Sequence, residues 1–142
     1  MKYKEGQLLR FTPFNFKNGA TPKRKYFIVL KQMDEMVVMA SLPTSQNHIP
    51  RNIPLTSGCI NLPERAVNAY IFMPKEPVTG NFSFTLPTFV YGEEVDEYNQ
   101  TYLNKMDSNI ENFGTIHNHI FIELKKCLKQ SALLKRRFKR LL

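Results

Sequence analysis

Residues 21–50 read TPKRKYFIVLKQMDEMVVMASLPTSQNHIP: a basic entry, an apolar run, a short polar break, a second apolar run and a polar exit. Tyr26–Leu30 and Glu35–Leu42 are rich in β-branched and aromatic residues, and Lys31–Asp34 between them has the length of a hairpin loop. The expected structure is an antiparallel hairpin, which brings Lys23, Arg24 and Lys25 at the start of one strand near Leu42, Pro43, Thr44 and Ser45 at the end of the other. Cations and hydroxyls on one rim suit a phosphate group, since fixed charge attracts the backbone and hydroxyls donate to its oxygens. The same residues also serve as the solvated ends of an exposed strand and the start of a turn.

Working outward, Gly6–Phe11 reads as a first strand. The loop Pro13–Pro22 follows, with Asn18-Gly19 as its turn. Phe14 and Phe16 in that loop either tuck back to close one end of the fold or, beside Lys17 and Lys23, stack on the bases of single-stranded RNA. Beyond the hairpin, Pro50 and Pro54 break an irregular segment that contains His48. Near-neutral titration gives His48 the chemistry of a general acid or base, although a loop histidine also serves as surface. Pro63–Ala66 forms a turn or a short helix, and Val67–Met73 a strand. Pro87 interrupts the next extended stretch and places it at an edge or corner. The acidic cluster Glu93, Glu94, Asp96 and Glu97 reads as a solvated loop available to a basic surface, including this chain's own tail. Tyr98–Ile110 has weak helical character, broken at Asn112–Gly114.

From Asn118 the period changes. Ile120, Leu124, Leu128, Ser131, Leu134, Phe138 and Leu141 recur at three- and four-residue intervals, so one long amphipathic helix is expected, with Asn118 as its N-cap. Residues 125–142 carry eight cations and no acid, out of 20 Lys+Arg against 12 Asp+Glu in the whole chain. The net charge of +8 thus belongs to the tail, where Lys135, Arg136 and Arg137 offer largely sequence-independent affinity for RNA.

A length of 142 residues allows one domain with one sizeable core, and 42% hydrophobic residues against 23% charged mark a folded chain. The N-terminus has no apolar run of the signal-peptide kind and no stretch has membrane-spanning length, so a soluble, cytoplasmic protein is expected. Cys59 and Cys127 suggest no disulfide framework, leaving a single bridge open. His117-x-His119 has no evident third ligand, and neither a metal nor another cofactor is expected. Phosphate-binding, dinucleotide-binding and serine-hydrolase glycine motifs are absent from the sequence.

The succession Gly6-Gln7-Leu8-Leu9-Arg10-Phe11, a variable loop, basic residues entering an apolar strand, a second strand and then Pro43-Thr44-Ser45 resembles the PemK/MazF class of growth-inhibiting toxins over roughly residues 6–73. Lys25-Tyr26 stands at that family's arginine-proline pair, with Arg24 one residue earlier, and Thr44 or Ser45 matches its hydroxyl residue. The resemblance implies a small SH3-like antiparallel barrel, a homodimer, metal-independent endoribonuclease activity on single-stranded RNA and a small acidic antitoxin. The expected architecture is therefore mainly β, with a barrel over residues 1–116 and a basic amphipathic helix over 117–142. Arg24, Lys25, Thr44, Ser45 and His48 are the candidate catalytic residues. A non-catalytic nucleic-acid-binding or protein-interaction barrel is the alternative.

Overall fold

In the computed structural model, which describes residues 3–43 and 47–142, the two apolar runs form the expected hairpin. Strands β2 (Lys23–Gln32) and β3 (Met36–Leu42) pair antiparallel from Tyr26↔Leu42 to Gln32↔Val37. Flanking them are β1 (Gln7–Phe14), β7 (Val95–Asn99) and β8 (Ile110–Thr115), giving the order β7-β3-β2-β1-β8. A second antiparallel sheet has the order β4-β5-β6, formed by Gly58–Leu62, Val67–Phe72 and Thr88–Val90. The described chain is mainly β, and none of its helices is long and apolar enough to cross a membrane.

The unbroken apolar runs of β2 and β3 are explained by burial on both faces of the larger sheet. Ile28, Leu30, Val38, Ala40 and Leu42 point into a core shared with Tyr70, Phe72 and Val90 of the second sheet. Phe27, Val29, Val37 and Met39 point the other way, against Phe11, Phe14, Leu103 and Met106. The outer face of the second sheet has its own small core of Ile49, Ala69, Ile71, Phe89 and Tyr91.

The C-terminal region departs from a single helix. α2 (Asn118–Lys129) ends at Gln130, and a turn leads into the short α3 (Arg136–Lys139). At the break, the Ser131 hydroxyl accepts a hydrogen bond from the Leu133 amide at 3.2 Å, a local alternative to continuing the helix. His117, rather than Asn118, is the N-cap residue, and no side chain caps the end. The apolar stripe survives the break, since Leu124, Leu128, Ser131, Leu134 and Phe138 are all buried.

One further expectation is corrected: the acidic cluster is not all loop, because Asp96 and Glu97 belong to β7, paired with β3. Residues 98–110 hold, after the end of β7, two short helical stretches, α1 (Gln100–Asn104) and a 3-10 turn at Asp107–Asn109, in keeping with their weak helical character, and Asn112–Gly114 beyond them lies inside β8. Cys59 of β4 and Cys127 of α2 form the one bridge that the sequence left open, with Cα atoms 5.6 Å apart.

Candidate nucleic-acid interface

Strand alternation decides which cations meet. Successive side chains of a strand point to opposite faces, so Arg24 shares a face with Tyr26, and Lys25 shares the other with Lys23. The expected rim is thereby divided, and Arg24 and Lys25 do not converge on one point.

On the Arg24 face lies a groove of about 640 Å³ whose lining includes Arg10, Arg24, Tyr26, Asn47, Leu86 and Thr88. Arg10 arrives there because β1 pairs Arg10 with Tyr26 on one side and with Glu111 on the other. Its Nη2 donates to Glu111 Oε1 at 2.6 Å, and its guanidinium lies 5.1 Å from the centre of the Phe113 ring. The Glu111 hydrogen bond, followed by that to the Tyr26 hydroxyl, raises its pKa further, which fixes it as a permanent cation. Arg24 is exposed. Leu86, 71% exposed, adds an apolar lip. Pro43 and Asn47, where the described chain stops and resumes, both line the groove, whereas Thr44 and Ser45 lie outside the described residues.

The opposite face is basic and aromatic. Lys25 is half-buried; burial first, and then Lys23, lower its pKa, against an opposing pull from Glu94. Glu94 in turn accepts a hydrogen bond from the Ser41 hydroxyl at 3.0 Å. Lys23 lies 5.9 Å from the centre of the Phe16 ring, and Lys17 lies 5.8 Å from those of Tyr98 and Tyr102. Phe16 is half-buried, edge-on to Phe14 at 5.2 Å. Phe14 is itself 2% exposed, packed 4.8 Å from Phe27, so it closes the core and cannot serve as a stacking platform for RNA.

His48, a candidate for proton transfer, is exposed but does not line the Arg24 groove. Its ring lies 4.8 Å from that of Tyr91, and its backbone N–H donates to the Tyr91 hydroxyl at 3.0 Å. That holds it in a separate depression of about 390 Å³.

Lys135, Arg136 and Arg137 are exposed at the start of α3. Arg137 pairs with Glu97 at 2.8 Å, tying the tail to β7. His117 and His119 stack with centroids 5.9 Å apart, and no cluster of three metal-ligating side chains occurs among the described residues.

Sequence reasoning did not assign Arg10 and Tyr26 to a site. The alternation Leu8, Arg10 along β1 was the available signal, because it aims a cation at the same face as Leu8. Comparison of the chain with protein-family models, with curated proteins and with solved structures gives no match.

Proposed function

We propose that this protein is a metal-independent endoribonuclease of the toxin type, binding single-stranded RNA in the groove at the open end of the β2–β3 hairpin. The observation that carries the reading is the presence of two arginines, Arg10 and Arg24, in one groove beside Pro43 and Asn47. An RNA 2′-hydroxyl attacks the adjacent phosphorus, the bond to the 5′-oxygen breaks, and that oxygen leaves with a proton, giving a cyclic phosphate end. Arg24 stabilises charge on the phosphoryl oxygens, and Thr44 or Ser45 orients them. Arg10, already paired with Glu111, adds a fixed positive field. Arg24 takes precedence over Lys25 because only Arg24 lines the groove. An SH3-like barrel, a homodimer and a small acidic antitoxin complete this reading. RNA as substrate sets its action in the cytoplasm.

The displacement of His48 from the groove favours a second reading, an RNA-binding or protein-interaction module without catalysis. Incubating the purified protein with single-stranded RNA in EDTA separates the two. The nuclease reading expects cleavage of RNA, an intact all-DNA strand, and a rate loss of about 10²-fold or more in Arg24→Ala. Thr44→Ala and Ser45→Ala identify the orienting hydroxyl, and Lys25→Ala cuts at close to the wild-type rate. Binding without cleavage across varied RNA sequences would establish the second reading. Cleavage unaffected by Arg24→Ala would remove the groove from the chemistry.

A further inference from the structure

The depression around His48 does not belong to the Arg24 groove, yet it adjoins it. Phe89 lines the groove and Tyr91, two residues on along the same chain, lines the depression. Their rings are stacked, 6.0 Å apart and inclined by 7°. Asn47 lines the groove, and the next residue, His48, lines the depression. A strand whose phosphate sits at Arg24 therefore has a neighbouring hollow one step away.

We infer that this hollow is a nucleobase subsite, an inference that rests on the RNA reading above and assigns His48 to binding. An exposed imidazole, backed by the buried Tyr91 ring, offers a flat surface on which an unstacked base can lie, a use that RNA-binding sites make of histidine. Leu133, 56% exposed, contributes apolar surface to the same hollow. Amides supply its polar side. Asn68 Nδ2 donates to Asn61 Oδ1 at 3.1 Å and to the Cys127 carbonyl at 3.0 Å, which fixes both asparagines. Gln130, the C-cap of α2, adds another amide. Asn and Gln side chains match the donor and acceptor pattern of a base edge. Arg65 and Glu93 also line the hollow with opposite charges, a balance that suits a neutral base better than a phosphate. The volume of about 390 Å³ falls at the small end of ligand sites and accommodates one nucleoside. The Cys59–Cys127 bridge pins the end of α2 to β4 and so holds the two polar walls together.

Adenosine, which has no phosphate, tests the hollow apart from the groove. In a titration to millimolar concentration followed by NMR, the side-chain amide signals of Asn61, Asn68 and Gln130 should move saturably. His48→Ala and Gln130→Ala, each checked for an unchanged thermal transition, should each weaken adenosine about tenfold. Arg24→Ala should leave adenosine binding intact while losing RNA. Stationary amide signals, or variants that bind adenosine as the wild type does, overturn the subsite. Saturable adenosine binding in a protein that neither binds nor cuts RNA keeps the subsite and removes the RNA reading instead.

Discussion

Arg137 Nη1 lies 2.8 Å from Glu97 Oε1, joining the basic tail to the edge strand β7. Both side chains are substantially open to water, at 54% and 30% exposure, so the pair holds little energy. What keeps the tail in place is the burial of Leu134 and Phe138, which are 3% and 1% exposed.

Arg137→Ala should accordingly cost less than about 1 kcal/mol. Phe138→Ala should cost about 3–5 kcal/mol, since it empties a filled core position. Urea denaturation of the two variants checks the contrast. Equal midpoints would mean that burial of Phe138 holds the tail no more strongly than the charge pair does.

The Cys59–Cys127 bridge closes a loop with a sequence separation of 68. Restricting the unfolded chain in this way is worth about 2–4 kcal/mol. The Cys59→Ser/Cys127→Ser double variant should lose that amount, and reductant should lower the denaturation midpoint of the wild type but not of the double variant. A midpoint insensitive to reductant in the wild type would show that the bridge contributes nothing to stability.

The hairpin was legible because its strands combine dense apolar runs with a short polar turn. Its site was only partly so. Neighbouring cations such as Arg24 and Lys25 look like one patch in a sequence and are separated by the two-residue period of a strand. β8 escaped notice because Ile110–Thr115, IENFGT, is a partly exposed edge strand without an apolar alternation. The break between α2 and α3 was hidden for a different reason. Ser131, Leu134 and Phe138 keep helical spacing across the turn, so periodicity alone cannot separate two helices from one.

Alkaline stability is set in part by buried tyrosines. Burial first, then Glu123, pushes Tyr70 from its ordinary 10.0 up to about 12. Burial also raises Tyr3, Tyr91 and Tyr98. In each case the folded state holds its proton more tightly than the unfolded state. The stabilisation is thus complete below the unfolded value of about 10 and is lost as the pH climbs through the folded values. Stability should fall from about pH 10 upward, and Tyr70→Phe should shallow the decline between about pH 10 and 12. Chemical denaturation at a series of pH values measures the slope; an identical slope in the variant would exclude Tyr70 as a contributor.

Gly92 permits the tail to dock where it does. A Cβ at this position would meet Ser131 Oγ at 2.6 Å and Ser131 Cβ at 2.8 Å, with Leu134 Cβ at 3.1 Å. Ser131 is 2% exposed and held in the turn after α2, so it has little room to retreat. Gly92→Ala should therefore cost about 1–3 kcal/mol through overpacking. Ser131→Gly removes the two closest atoms of the clash but not Leu134, so the double variant Gly92→Ala/Ser131→Gly should be more stable than the sum of the single costs implies. A double-mutant cycle by denaturation measures this coupling. Strict additivity would mean that the residue 92 backbone and Ser131 do not press on each other, and that the tail docks for reasons other than the missing side chain.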